Sequence, residues 1–597
     1  MEQGREATPG FAHSSRLCPP GKGPGGDSSI RMTLSLTESR PSEQPRTPVR
    51  SGRDFWAWGL LLAAGIFVLL ITYAVEYRVT RGHIGAALDD TYIHMRFAEN
   101  LLAGQGFAFN PGEPTPGTTS PLWVLLIALG GLFTDNLLDV ALFWSSFFYL
   151  ALAVAAYGLG QRLLAGRGWA LAFGLLCLFT GRIVWTAASG MEPTLFAALS
   201  LWAVARYTDD RRGMACHAPT DLPRSRFSLF TALLFGLATN ARPEGYLLFL
   251  CALLDAALGL RREDGRLTLA WKGFPWKAAL LYLLLIAPYP LFSLATTGSL
   301  LPNTFHANSL YFRWGRSWEY LSLVLQFLPY DNLFLHLFLP VGAVGIVVQA
   351  WRKGTEALPP GRLLVFFWAV GYLPASTLLT PMKYHFQRYL IPLLPFFILL
   401  SLFGLLTALD FLARRRPAAV GRVRRAALAM MVAWGMALVV QWPGFLNRAV
   451  ERVIGRPVRQ WPSLIAQSVD NINGMQVAIG EWIRRGTRPE DVIAANDIGA
   501  IGYISKRRVL DVVGLVTPEI LPYVKGLHIN SLRDQRVLEF LSREKPEYLV
   551  IFPNWYPTLV EKRDLLYPVF AVELKDNIIC GGDVMVVYKC RWNQSGN

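Results

Sequence analysis

Two adjacent carboxylates, Asp89 and Asp90, open the stretch DDTYIHMRFAENLLAGQGFAFNPGEPTPGTTSPLW (Asp89–Trp123). Adjacent carboxylates repel, so one of them keeps its proton to higher pH, which suits general-base work. Their oxygens could also hold a divalent cation. The same pair could be no more than the solvated end of a loop. Two features favour chemistry. An amphipathic segment, Tyr92–Phe107, follows the pair and would lie along a membrane interface. It then closes on the turn-rich NPGEPTPGTTSPLW rather than on a linker.

Further polar clusters lie between apolar runs. Glu192 in SGMEPT is either a carboxylate stabilised by a helix N-terminus or a third acid converging on the Asp pair. Arg242 and Glu244 in NARPEG form a structural ion pair or belong to a site, since ionisable groups bordering hydrocarbon are functional candidates. KYHFQRY supplies Lys383, His385, Arg388 and Tyr389. These types anchor helices at interfaces. They also suit a phosphate, because Arg offers a bidentate fork and Lys a point charge. Asn303, His306 and Asn308 in LPNTFHANS are candidates for binding sugar hydroxyls. A carboxylate base, cations for a phosphate leaving group and amides for a sugar are what transfer from a lipid phosphate to a hydroxyl requires.

These residues need a membrane scaffold, and composition supplies one. Charged residues are 17% of the 597 and hydrophobic residues 52%, where a soluble domain carries about 25% charged. Runs such as Trp58–Val75, Leu280–Ala295 and Leu390–Leu409 approach the roughly 20 residues that cross hydrocarbon. The net charge is +16, but the bases are spread over short loops: Gln161–Gly168, Arg206–Arg226, Arg261–Arg266, Trp351–Lys353 and Arg414–Arg425. That is the pattern of cytoplasmic loops and argues against nucleic acid as a partner. The polar clusters then fall on the outer face. Parity between a cytoplasmic start and an external end gives about 11 spans, with about 13 as the alternative, once the short run Ser120–Phe133 is taken as a partial helix.

Three regions follow. Residues 1–53, rich in Pro, Gly, Ser and Arg, predict a disordered cytoplasmic tail. Residues 54–443 predict the transmembrane catalytic domain. Residues 444–597 have soluble composition and predict an external α/β domain, with a helix at Val477–Gly486 and strands at Asp491–Ser505, Arg507–Leu515, Glu547–Phe552 and Asp583–Lys589. The six cysteines show no metal spacing and are expected to be unpaired thiols.

DDTYIHMRFAENLLAGQGFAFNPGEPTPGTTSPLW resembles the first external loop of the GT-C superfamily of polyprenyl-phosphate-dependent glycosyltransferases. It is most similar to the mycobacterial terminal arabinofuranosyltransferase group. SGMEPTLFAAL, ARPEG, LPNTFHANS, QRYLIPLLP and NDIGAIGYISKRRVLDVVGLVTPEI resemble that group in the same order. The resemblance implies a GT-C fold, a polyprenyl-phosphate sugar donor, a glycan or lipid acceptor, and an active site on the outer face of a bacterial-type cytoplasmic membrane. Carried over, Asp89 or Asp90 is the base, with Asp89 preferred, and Glu192 supports it. Lys383, His385, Arg388, Tyr389 and Arg242 bind donor phosphate, and Glu244, Asn303, His306 and Asn308 bind substrate. A divalent cation, if used, would sit on Asp89 and Asp90. The loop reads TPGTTSPLW where relatives often carry an aromatic residue, so the resemblance does not extend to the sugar. A flippase of lipid-linked sugar and a glycan-binding membrane scaffold are the alternatives. A flippase would carry its ionisable groups nearer the bilayer midplane.

Overall fold

The computed structural model describes residues 54–215, 227–263, 266–309, 314–379, 385–440, 460–524 and 530–592, with a few single positions between them. The expected tail, Lys383, Cys18 and Cys216 lie outside the described residues, as does the side chain of Asn308.

Helix α1 (Phe55–Val79) is apolar over most of its length, with Glu76 and Arg78 confined to its last turn, and lacks proline. Its buried positions Leu61, Gly65, Val68, Leu69, Thr72 and Glu76 recur at helical spacing, while Ile66, Phe67 and Leu70 face outward. Such an outward apolar face needs lipid. A Cβ on Gly65 would come within 2.4 Å of the Leu150 side chain. The glycine thus lets α1 approach the helix Leu137–Leu163 closely.

Among the described residues three helices are long and apolar enough to cross a membrane: Phe55–Val79, Leu137–Leu163 and the segment His385–Arg415. Two pairs bent at a break could each add one more: Arg167–Leu178 with Gly181–Ala187, and Trp276–Ile286 with Pro288–Thr297. Shorter apolar helices include α3 (Pro121–Gly131), Leu229–Ala241, Gly245–Ala257 and Arg362–Leu378. The larger span count rests on the sequence alone. The Ser120–Phe133 run is indeed a short helix of 11 residues.

The helix Pro193–Ala215 separates two chemical environments. Glu192 precedes it, and Asp209, Asp210 and Arg212 lie in its last two turns. Its 23 residues span about 34 Å at 1.5 Å per residue, close to the hydrocarbon thickness. At the far end Arg162 pairs with Asp209 at 2.7 Å.

Between the helix Gly245–Ala257 and Trp276 stands an antiparallel hairpin, β1 (Leu258–Glu263) and β2 (Arg266–Trp271). The C-terminal region carries a five-stranded sheet ordered β4-β3-β5-β7-β6: β3 (Val492–Ala495), β4 (Arg508–Asp511), β5 (Tyr548–Ile551), β6 (Leu566–Glu573) and β7 (Val584–Cys590). β4, β3 and β5 run parallel, and β7 is antiparallel to both β5 and β6. The expected helix is present as Ala478–Gly486. One expectation is corrected here. Only Val492–Ala495 of the Asp491–Ser505 run is strand, and Gly499–Ser505 is helix. β6 was not anticipated, since its residues are mostly exposed and its proline interrupts the strand pattern. Cys177, Cys251, Cys580 and Cys590 are free thiols.

A second correction concerns α2 (Asp90–Leu102). The sequence suggests an interfacial helix, yet Thr91–Ala98 are all buried. Its polar side chains find internal partners. Arg96 Nε donates to the Phe109 carbonyl at 3.2 Å, and Asn100 Nδ2 donates to the carbonyls of Ala108 and Phe109 at 2.9 and 2.7 Å. Polar residues satisfied in this way can be buried at little cost. One buried core runs from Ala87 and Phe97 on this loop to Ile498, Ile501 and Val516 of the C-terminal region.

Candidate active site

The first residue of α2 begins the site. Asp90 Oδ2 lies 2.6 Å from Arg388 Nη1, and the aspartate side chain is 32% exposed. Burial opposes its charge, but Arg388, and after it His385, outweigh burial and hold the carboxyl below its ordinary value. One helical turn on, His94 faces the same space. Its Nδ1 is 3.1 Å from Thr118 Oγ1, and its Nε2 is 3.5 Å from Glu192 Oε2.

Glu192 continues the array. Its Oε1 accepts from Arg242 Nη1 at 2.5 Å. Burial raises the Glu192 pKa, but Arg242 and His94 more than reverse that and bring it to about 2. Arg242 also donates from Nε and Nη2 to Glu244 Oε1 at 3.0 and 2.7 Å. The Tyr372 hydroxyl reaches the Tyr389 carbonyl at 3.1 Å and Glu244 Oε1 at 3.4 Å. The guanidiniums of Arg242 and Arg388 each lie 5.3 Å from the Tyr389 ring centre, at cation–π distance.

Four separate parts of the chain therefore converge: the start of α2, Glu192, the Arg242–Glu244 turn and the Arg388–Tyr389 segment. Three buried oxygens in or beside this network, Glu192 Oε2, Glu244 Oε2 and Ser120 Oγ, have no hydrogen-bond partner. Buried polar atoms left in this state are suited to a polar ligand.

The segment bearing Arg388 has an unusual backbone. His385, Phe386 and Gln387 take φ of 53°, 53° and 55°, a left-handed conformation costing about 1–2 kcal/mol per residue. It is braced from beneath. Arg182 Nη1 donates to Gln387 Oε1 at 3.3 Å and to the Phe386 carbonyl at 3.4 Å, while its other nitrogens pair with Asp331.

Asp89 points elsewhere. Its Oδ2 accepts from the Gly499 N–H and its Oδ1 from the Ala500 N–H, each at 2.8 Å. Burial, and then the nearby Asp497, push its carboxyl up to about 8. Asp497 is itself raised to about 6, first by burial. It accepts from Gln476 Nε2 at 2.9 Å and from Asn496 Nδ2 at 3.1 Å.

Two further described candidates, Asn303 and His306, hold other partners. Asn303 Nδ2 donates to Thr115 Oγ1 at 3.1 Å, which ties its helix to the first loop. His306 Nε2 pairs locally with Ser299 Oγ at 2.9 Å. Sequence reasoning missed His94, Thr118, Tyr372 and Asp497. For His94 the signal was its i+4 spacing from Asp90. Tyr372 sits in an apolar run that gives none.

Among the described residues no three His, Cys, Asp or Glu side chains are grouped to hold a metal ion. Both Asp89 oxygens already accept backbone hydrogen bonds, and Asp90 is paired with Arg388. The arrangement does not fit a cation on the aspartate pair.

Comparison with known proteins bears on the fold. The structure matches ArnT from Cupriavidus metallidurans bound to undecaprenyl phosphate with a TM-score of 0.53 at 14% identity, covering 90% of this chain and 98% of ArnT. It matches the archaeal oligosaccharyltransferase AglB from Archaeoglobus fulgidus, solved with an inhibitory peptide and a dolichol-phosphate, with a TM-score of 0.50 at 11% identity, covering 91% and 75%. The chain thus has the fold of the GT-C glycosyltransferases, as the resemblance implied. In sequence it is similar to a terminal β-(1→2)-arabinofuranosyltransferase of Corynebacterium glutamicum, 31% identical over 293 residues. That match covers 46% of this chain and 40% of the relative's length. Residues 470–588 match a family profile described as a domain of unknown function, DUF8728.

Proposed function

We propose that the chain is an inverting glycosyltransferase that moves a hexose or pentose from a polyprenyl-phosphate donor to a cell-envelope glycan or lipid acceptor. The observation that carries this is the Asp90–Arg388 pair at the edge of the Glu192–Arg242–Glu244 network. One side chain can take a proton from an acceptor hydroxyl, and its neighbour can receive a phosphate.

Each neutralises the other. A donor phosphate competes for Arg388, offering charge and bidentate geometry, and so releases Asp90. Asp90 then takes the proton of the acceptor hydroxyl as its oxygen bonds the anomeric carbon from the face opposite the phosphate. The anomeric carbon–phosphate oxygen bond breaks, with inversion. The departing polyprenyl phosphate gains charge, which Arg388 stabilises, with His385 and Lys383 as further candidates. Glu192 and Glu244 hold Arg242, which with Tyr372 fixes Tyr389 behind Arg388. Asn303, His306, Asn308 and the free Glu244 oxygen are assigned to sugar and acceptor hydroxyls.

The outer-face assignment is supported by the helix Pro193–Ala215, which separates Glu192 from the basic end. The ArnT and AglB structures, named as bound to undecaprenyl phosphate and to a dolichol-phosphate, support a lipid-phosphate donor. The test is sugar transfer by the purified protein from synthetic polyprenyl-phosphate sugars. Transfer by the wild type is expected. Binding of lipid-linked sugar with no transfer across a broad donor panel would favour a flippase or scaffold.

A further inference from the structure

The C-terminal layer has no task in that mechanism, and neither does Asp89, whose carboxyl oxygens face Gly499 and Ala500. A single arrangement accounts for both. β3 and β4 are parallel and joined through the helix Gly499–Ser505. Open sheets of this kind hold ligands beyond the carboxyl ends of their parallel strands. Here the chain itself fills that place. The Asp89 carboxylate accepts the Gly499 and Ala500 N–H groups. The Asp89 main-chain carbonyl rests so close to Gly499 that a Cβ there would lie 2.1 Å from it.

Other contacts fasten the same loop to the same layer. Asn110 Nδ2 donates to the Val509 carbonyl at 3.0 Å, and its Oδ1 accepts the Val509 N–H at 2.9 Å. Lys506 pairs with Glu99 at 2.5 Å and Arg508 with Glu113 at 2.7 Å. A Cβ on Gly117 would fall 2.6 Å from the Val516 side chain.

We propose that Asp89 is a positioning residue, and that the task of the C-terminal layer is to seat the start of α2 so that Asp90 meets donor and acceptor. The proposal rests on the glycosyl-transfer reading above. The seat acts through the chain: Asp89 precedes Asp90, and its carbonyl accepts the Tyr92 N–H at 3.0 Å in the first turn of α2. Holding Asp89 by its carboxylate and its carbonyl therefore fixes the Cα of Asp90. Asp89 cannot serve an acceptor hydroxyl in this state, since it is buried with both oxygens engaged. A misplacement of about 1 Å can cost on the order of 100-fold in rate, so the seat need not touch substrate to matter.

The test uses the full chain, purified in detergent, as wild type, Asp89→Asn and Gly499→Ala, the last altering no ionisable group. Turnover of synthetic polyprenyl-phosphate sugars is measured across pH, together with hydrogen exchange. Both variants are expected to lose roughly 100-fold in kcat with donor KM almost unchanged. The residual activity keeps the wild-type acid limb, and exchange rises at Gly499–Ser505 and at the start of α2. The proposal is overturned if Asp89→Asn abolishes turnover and its acid limb while Gly499→Ala transfers at the wild-type rate, since Asp89 would then be the base. It also falls if both variants keep wild-type kcat. Should the wild type transfer no sugar, the proposed function has failed, and exchange decides the seat alone. Loosening of the start of α2 in Asp89→Asn upholds the seat, and unchanged protection there removes it.

Discussion

Arg182–Asp331 and Arg388–Asp90 are the same chemical pair in two settings, and they lie on either side of one short segment. Both members of the first have side chains 0% exposed. Arg182 grips Asp331 through Nε and Nη2 and spends Nη1 on Gln387 and Phe386. The second is joined by one short contact, with Asp90 about a third exposed. A buried pair with its donors used is expensive to break. The second pair opens to solvent on the Asp90 side, with Arg388 13% exposed, so it costs less to break and can change partners. The fully buried pair fits a brace, and the partly exposed pair fits a switch.

The largest effect that sharpens this contrast is on chemistry. Asp90→Asn should lower kcat by about 10²–10⁴-fold while undecaprenyl phosphate still binds. A variant that keeps a tenth of wild-type kcat would place the base elsewhere. Next comes the brace. Arg182→Ala leaves Asp331 buried without a partner and should cost about 3–5 kcal/mol in detergent unfolding. The double change Arg182→Met with Asp331→Leu should recover most of it. A loss under about 1 kcal/mol would erase the distinction between the pairs.

Arg388→Ala should show the reverse profile, with kcat/KM down about 10²–10³-fold and stability changed by no more than about 1 kcal/mol. The smallest effect is the pH dependence of stability, followed by the unfolding midpoint. Arg242 brings Glu192 to about 2 against the burial that raises it. Its contribution is therefore complete above the ordinary value of 4.5 and lost as pH falls from there through about 2. Asp89 is shifted the other way by burial and Asp497. Its contribution is complete below the ordinary 3.8 and lost as pH rises through about 8. Glu192→Gln should flatten the fall of stability below pH 4.5, and Asp89→Asn the fall between pH 3.8 and about 8. If both leave the curve unchanged, neither group titrates as placed.

Residue types in the candidate site were legible where apolar runs frame them, as for Glu192, Arg242, Glu244 and Arg388. The pairings were not legible. Asp90 and Arg388 are far apart in sequence, and nothing local says that Arg242 spends its charge on Glu192 and Glu244. The burial of α2 was hidden for a related reason. Arg96 and Asn100 look like a solvated face until Phe109 and Ala108 supply their carbonyls. The helix Gly499–Ser505 passed for strand because Ile498, Ile501 and Ile504 favour strands in isolation. The contact of Asp89 with the Gly499 and Ala500 N–H groups is long-range and invisible in composition.

The Asn110 contact has a further consequence. β4 is an edge strand, and an unpaired strand edge is a template for pairing with other chains. The Asn110 amide answers both the N–H and the carbonyl of Val509, as one rung of an added strand would. The first loop thus shields part of the sheet from self-association. Asn110→Ala should leave that rung open and make the folded protein more prone to aggregate, a defect of solubility rather than of chemistry.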